Sequence, residues 1–344
     1  MTRFLFTTAI TLANLTMMSS AMAGSVELEG GGQCEGDITA RDLNGEVSCD
    51  FGNGDRFEGT FVDGKKEGQG IYTFAEGGKY EGNFDNDAIS GKGVRINPNG
   101  DRFEGEFQNG QLNGQGVYIG ANGRRYEGQF TNGEPAGQGT FTYENGDICS
   151  GVFSSSLLNG DGECTYSNGD RYQGKFVEGQ PSGQGTYTYT GGGSYQGTFV
   201  AGEMTGEGVR KFANGNVYQG EFKQGNPSGK GTYSFSDGAK YQGQITQGEF
   251  SGQGIFTEPS GNEYQGEFAN GKYNGEGVYL FANGDRCEGT FQNGQLNGSA
   301  ICDYSNGDTY QGGFKSGQKH GDGLYTFGDG AILKGSWVNG EYQQ

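Results

Sequence analysis

Six cysteines are the residues of this chain best placed to do chemistry, and they fall into three equally spaced pairs. Cys34 and Cys49, Cys149 and Cys164, and Cys287 and Cys302 each stand fifteen positions apart. Two thiols at one spacing can ligate a metal, cycle as a redox pair or close a disulfide. Other reactive groups are sparse. His320 is the single histidine, so a Ser-His or Cys-His nucleophilic centre is hard to build, and it reads as a surface turn residue. Asp55, Asp101, Asp147, Asp170, Asp285 and Asp308 each follow an Asn-Gly step. A calcium ladder would need more oxygens than each contributes, which leaves them as solvated turn residues.

Which chemistry the thiols perform depends on the elements that carry them, and the cysteines themselves give the ruler. Cys34 to Cys149 is 115 residues, five times 23, and Cys149 to Cys287 is 138, six times 23. Stepping by 23 from position 34 lands on Cys34, Phe57, Tyr80, Phe103, Tyr126, Cys149, Tyr172, Tyr195, Tyr218, Tyr241, Tyr264, Cys287, Tyr310 and Leu333, without an insertion or deletion. Counting each of these as place one, places three, twelve and twenty-one are Gly in every unit they reach, and place five is Phe, Ile or Trp. A fixed period of this kind marks a repeat architecture. It also explains a composition of 73 Gly beside 24 Phe and 20 Tyr, which suits no disordered linker.

Within one unit, "FEGEFQNGQLNGQGVYIGANGRR" at 103–125, Phe103, Gly105 and Phe107 alternate with Glu104 and Glu106 as a strand with one apolar face does. Asn109-Gly110 supplies residues that tolerate positive φ, Gly116-Val117-Tyr118 starts a return strand, and Asn122-Gly123 turns the chain into the next unit. Helix has almost no support, since Gly every few residues costs about 1 kcal/mol each in a helix interior. The pattern Y/F-x-G-x-F-x-N-G-x-x-x-G-x-G-x-Y resembles the MORN repeat (membrane occupation and recognition nexus), and "YEGQFTNGEPAGQGTFTYENGD" at 126–147 is close to that family's consensus. The resemblance implies an all-β fold: an elongated, twisted, single-layer antiparallel sheet of tandem hairpins. It also implies a scaffold, a dimerisation arm or a partner-binding or peripheral-membrane module. The expected layout is a signal peptide at 1–23, a half-unit strand at 24–33, thirteen repeats at 34–332 and a half-unit at 333–344.

The cysteines occupy places one and sixteen, which other units fill with facing rings such as Phe103 and Tyr118 or Tyr126 and Phe141. Facing residues of an antiparallel pair have Cβ atoms about 4.5 Å apart, near the ~3.8 Å that a disulfide needs. Zinc would need a third ligand close by. The six cysteines are therefore read as three staples, Cys34–Cys49, Cys149–Cys164 and Cys287–Cys302. Place fourteen supports the exchange of ring for staple: it is Gly except for Val47 and Ala300, both in cysteine units, while the remaining cysteine unit loses its turn Gly to Ser156.

Arg3, an apolar run from Phe4 and the small-x-small step Ala21-Met22-Ala23 describe a cleaved export signal. The apolar run falls short of the ~20 residues that span a bilayer. Localisation is thus expected to be periplasmic or extracellular, where disulfides persist. Without Arg3, 22 basic residues face 42 acidic ones, a net charge of −20. That surface excludes nucleic acid and opposes anionic membrane, which both need a positive footprint.

Function must then lie on the sheet. Places one, five, sixteen and eighteen line one face with rings over glycine gaps, and a ring-lined groove left uncovered would be an interaction site. The candidate contacts in such a groove are Tyr126, Tyr172, Tyr218 and Tyr264, with Arg95 and Arg210, the two arginines at place sixteen. The arginines stack on neighbouring rings or contact an anion or carboxylate. The expected function is a non-catalytic exported scaffold or protein-interaction module, without cofactor or metal, along a ruler on the order of 130 Å if each strand adds ~4.8 Å. Carbohydrate or cell-wall binding through exposed Tyr and Phe rings is the alternative, phospholipid binding is a weaker one, and a homo-oligomer is compatible with the pattern.

Overall fold

The structure, a computed structural model, describes residues 24–38 and 43–343. The proposed signal segment lies outside the described residues. These residues form 29 strands and no helix, in one antiparallel sheet. No helix among them is long and apolar enough to cross a membrane. Contacts divide the chain into two units, Met1–Glu134 and Pro135–Gln344, and both are built from the same hairpin.

In the unit beginning at Tyr172, the forward strand Arg171–Val177 pairs with the return strand Gln180–Thr188. Glu178 and Gly179 join them with φ of 50° and 77°. Two successive residues at positive φ make a type I′ turn, whose twist matches that of the flanking strands. The turn is so strictly required that Ala201 and Gln224 adopt φ of 49° at the same place. A second turn leads into the next unit: the Tyr166 amide donates to the Asp170 carbonyl and the Gly169 amide to the Tyr166 carbonyl, both at 2.8 Å. Within each of the two units, strands pair with their neighbours in sequence, as the Asn-Gly spacing predicts.

The core is a single column of rings laid on the sheet's own backbone. Tyr172, Tyr195, Tyr218, Tyr241, Tyr264 and Tyr310 at place one are all fully buried in the second unit, and Tyr80 and Tyr126 are in the first. Most lie edge-to-face with the place-five ring of their own unit and with that of the next, Ile245 removing one such ring beside Tyr218 and one beside Tyr241. Tyr172 is 5.0 Å from Phe176 and 4.9 Å from Phe199, and Tyr310 is 5.1 Å from Trp337. Such edge-to-face contacts contribute about 0.5–1.5 kcal/mol beyond area burial. The buried hydroxyls are satisfied: those of Tyr126, Tyr172, Tyr218 and Tyr264 donate to the carbonyls of Gln129, Lys175, Glu221 and Glu267 at 2.9–3.0 Å.

The glycines at places three and fourteen face one another across the hairpin, as Gly174 faces Gly185. The place-one ring lies flat on that pair. A Cβ on Gly231 would stand 2.4 Å from Cε2 of Tyr218, and a Cβ on Gly277 2.5 Å from the Tyr264 hydroxyl. This sheet needs no second layer because its backbone packs directly against its rings.

Three disulfides, Cys34–Cys49, Cys149–Cys164 and Cys287–Cys302, join places one and sixteen across their hairpins. In the Cys149–Cys164 unit the space of the missing ring is taken by the place-ten side chain Leu158, and Leu296 is buried at the same place of the Cys287–Cys302 unit. The same competition displaces Phe103. There Leu112 covers Gly105 and Gly116, and Phe103 is pushed to a half-buried position against Tyr118. His320 lies within the strand Gln318–Thr326 and is half-buried, not in a surface turn as the sequence suggests.

Candidate functional site

Tyr126, Tyr172, Tyr218 and Tyr264 are fully buried, which removes them from any open groove. Place one faces the Gly pair and the place-five rings, so these tyrosines carry the core. The rings left at the surface are those of places sixteen and eighteen, which project past the core column on the return strand and the second turn. In the second unit Tyr166, Tyr187 and Tyr189 follow one another in contact, as do Phe212, Tyr233 and Phe235, with centroids 4.7–5.8 Å apart from one ring to the next. Phe281 and Phe327, at place eighteen, are 41% and 40% exposed.

The aspartates of the second turn organise this stripe. Asp170 accepts from the Thr190 amide at 2.8 Å and from the Tyr187 hydroxyl at 2.8 Å, both in the following unit. Asp55 receives Ala75 and Tyr72 in the same way, and Asp308 receives Gly328 and Tyr325. They are ties between repeats and not solvated turn residues. Hydrogen bonding holds the carboxyls of Asp55, Asp101, Asp170 and Asp285 below the usual range, foremost from the amides of Ala75, Ala121, Thr190 and Ser305; at Asp308 the Tyr325 hydroxyl leads. Tyr325 in turn is pushed up to about 12 by its bond to Asp308, and Tyr72 to about 12 by burial first and Asp55 second.

Both shifts predict pH windows. A depressed carboxyl contributes stability that is present above its unfolded pKa and lost as pH falls through the folded one. A raised phenol contributes stability that is present below pH ~10 and lost as pH rises through its folded value. The links at Asp55–Tyr72 and Asp308–Tyr325 are thus expected to open below about pH 4 and again toward about pH 12. Amide exchange at Ala75 and Gly328 should rise in both windows relative to the Ala213 amide, whose preceding turn lacks the aspartate. Exchange that ignores pH at those two amides would refute the tie.

The residue at place twenty-two dictates two residues of the next unit. Where it is Asp or Asn, place sixteen is Tyr or a disulfide Cys, and place nineteen keeps its amide: Asp101 precedes Tyr118 and Ala121, and Asn216 precedes Tyr233 and Ser236. Where it is not an acceptor the phenol disappears. Ala239 precedes Phe256 and Pro259, and Arg124 precedes Phe141. The two Gly cases, Gly78 and Gly193, precede Arg95 and Arg210. Place sixteen alone marks both arginines but carries no reason for them.

Both guanidinium groups take the slot of the ring they replace. Arg210 Cζ stands 5.2 Å from the Tyr189 ring and 5.0 Å from the Phe212 ring, between the two place-eighteen rings that flank a place-sixteen tyrosine elsewhere. Arg95 Cζ is 5.5 Å from Phe74, and its Nη1 donates weakly to the Gly110 carbonyl at 3.5 Å. Neither makes an ion pair among the described residues. Lys319 fills a comparable box, 4.4–5.0 Å from Tyr304, Tyr310 and Tyr325, where burial lowers its pKa. On the opposite face a trough of about 830 Å³ is lined by Glu276, Glu288, Asp322 and Lys334 around Ile301 and Leu324. No cluster of three or more metal-ligating residues occurs among the described residues.

A family model described as MORN repeat matches twelve consecutive stretches, from 57–79 through 103–124 and 126–148 to 310–332. The Cys34–Cys49 unit lies outside the matched stretches. No curated protein matches the chain. Among solved structures, the TCP10 domain of Danio rerio CPAP is 12% identical with a TM-score of 0.32, over 64% of this chain and 99% of that one. The TCP domain of Drosophila melanogaster SAS-4, in complex with a proline-rich motif of Ana2, is 15% identical with a TM-score of 0.24, over 52% and 85%. Virginiamycin B lyase from Staphylococcus aureus is 11% identical with a TM-score of 0.14, over 78% and 94%.

Proposed function

Because the chain belongs to the MORN-repeat family, we propose on that premise that it is an exported, non-catalytic scaffold that binds protein partners along the ring stripe of places sixteen and eighteen. The observation that carries this reading is the stripe itself: a run of half-buried rings on one face, fixed in place by aspartate ties and covered by no second layer. Large exposed apolar stripes mark interaction surfaces. Ring edges and hydroxyl-bearing tips suit a polypeptide, whereas sugar stacking needs free ring faces. Here those faces are largely spent on one another, as between Tyr187 and Tyr189 at 4.8 Å. A photo-crosslinker at Phe281, compared with one at Ile301 on the opposite face, tests the reading in the native host. Protein adducts from Phe281 alone are expected. Adducts from Ile301 alone, or glycan captured at Phe281, would overturn it.

Export rests on Arg3, the apolar run and Ala21-Met22-Ala23, with three disulfides consistent with an oxidising compartment. N-terminal sequencing of protein from the native host is expected to start at Gly24, and recovery of Met1 would end the export claim. The net charge of −19 predicts no sedimentation with phosphatidylserine vesicles at physiological salt, where screening beyond ~8 Å leaves only local patches such as Arg210-Lys211. Strong co-sedimentation would show that those patches act alone.

A further inference from the structure

Arg210 and the Ala213 amide stand at the places whose side chain and amide hold a carboxylate in other repeats. In the preceding unit the corresponding donors, the Tyr187 hydroxyl and the Thr190 amide, both converge on Asp170 at 2.8 Å. One turn later Gly193 stands at the place of that aspartate, and the next pair of donors has no acceptor among the described residues. Ala213 keeps its N–H, is exposed, and makes no hydrogen bond among the described residues. Arg210, half-buried between Tyr189 and Phe212, makes no ion pair there either. Asp170 acts on Tyr189 from the preceding turn, but Tyr187 and Thr190 already hold it.

A carboxylate stands at place twenty-two in six other units, whereas the backbone at Gly193, with φ of 89° and a Cβ position 2.4 Å from the Lys211 carbonyl oxygen, admits none. Placing Arg only where that carboxylate is missing leaves a positive, ring-walled slot on an otherwise acidic chain. The first unit supplies the contrast. Arg95 likewise follows a Gly, Gly78, but its place nineteen is Pro98, which has no N–H to offer. Only at Arg210 are both donors kept.

We propose that this slot binds the side-chain carboxylate of an aspartate carried by a partner polypeptide, accepting in trans the group that Asp170 supplies in cis. This rests on the protein-binding reading above and assigns it a specific anchor. One oxygen accepts from the Ala213 amide and the other from the Arg210 guanidinium, a charge-assisted pair stronger than its phenol counterpart. The Tyr189 and Phe212 rings exclude water from the guanidinium faces.

The full chain, isotope-labelled for nuclear magnetic resonance, is titrated with N-acetyl-aspartate amide, and separately with the asparagine analogue, glucuronate and inorganic phosphate. The Arg210 side-chain and Ala213 amide signals are expected to shift and saturate with the aspartate analogue, at least tenfold below the concentration at which asparagine acts. Arg95 should respond more weakly. Arg210→Tyr should abolish the response. Unchanged amide signals beyond Tyr218 would establish that the variant folds. Equal response to asparagine, persistence in Arg210→Tyr, or a response confined to glucuronate or phosphate would each overturn the proposal. A crosslinked protein partner at Phe281 with no aspartate response would sink this assignment and leave the scaffold reading standing.

Discussion

Gly231→Ala will disrupt the hairpin that begins at Tyr218, although it adds a single methyl group. The new Cβ would stand 2.4 Å from Cε2 and 2.5 Å from the hydroxyl of Tyr218, a fully buried ring that has Phe222 at 5.1 Å on one side. Backbone on the other side of the glycine cannot yield, because Gly220 and Gly231 are paired across the hairpin. The ring must leave its seat, so the cost approaches that of deleting a buried aromatic side chain, about 3 kcal/mol or more. Gly162→Ala is the control. Its unit has no place-one ring, and the nearest atoms to a new Cβ are the Ser150 carbonyl oxygen at 2.9 Å and Leu158 Cδ2 at 3.1 Å. Amide exchange should therefore accelerate far more around 218–233 in Gly231→Ala than around 149–164 in Gly162→Ala. In a Tyr218→Ala background the Gly231 change should add little, since the clash is gone. Equal effects in the two units, or full additivity with Tyr218→Ala, would show that the glycine is needed for backbone conformation and not for the ring.

That ring-on-glycine contact explains how far the sequence could be read. Period, strand order, turn type and cysteine pairing all follow from local residues whose spacing never varies, such as Asn109-Gly110 and the fourteen place-one positions. Alternation also identified one face as aromatic. It could not divide that face into a covered and an uncovered half. Tyr218 and Tyr233 face each other across the hairpin, and both are tyrosine. Only the seat over Gly220 and Gly231 sinks the first and leaves the second at the surface. The aspartate ties were missed for a different reason. Asp170 bonds residues 17 and 20 positions ahead, in another repeat, so a unit-by-unit reading sees only an exposed turn acid. A signal was nevertheless present: Phe256 with Pro259 follows Ala239, and Tyr187 with Thr190 follows Asp170. Reading place twenty-two of each unit against places sixteen and nineteen of the next finds the ties, and with them the reason for Arg95 and Arg210.

Reduction of the disulfides should loosen 34–49, 149–164 and 287–302 before ring-paired hairpins such as 172–187. Each bond closes a loop of fifteen residues, which in the chain-entropy model contributes about 3 kcal/mol, or on the order of a hundredfold in local opening. Repeat arrays are stabilised within units and between neighbours, so the effect should stay local. The 149–164 hairpin should respond most, because its turn carries Ser155 and Ser156 at φ of 48° and 65° where most units have Gly second. Restoring rings is the sharper test. Cys287→Tyr with Cys302→Tyr gives the second tyrosine an acceptor in Asp285, but the first meets two obstacles. Ala300 stands where the ring needs Gly, and Leu296 is buried at place ten, from which Leu112 and Leu158 cover the glycine pairs of their own units. The displaced Phe103 beside Leu112 shows that leucine wins this competition. Ala300→Gly should therefore rescue the double tyrosine variant only in part, and adding Leu296→Pro, the residue that the Tyr172 unit carries at place ten as Pro181, should complete the rescue. Amide exchange across 287–302 reads all four states. Full rescue by Ala300→Gly alone would mean that the ring and Leu296 fit together, and no rescue by the complete set would mean that staple and ring are not interchangeable solutions to one gap.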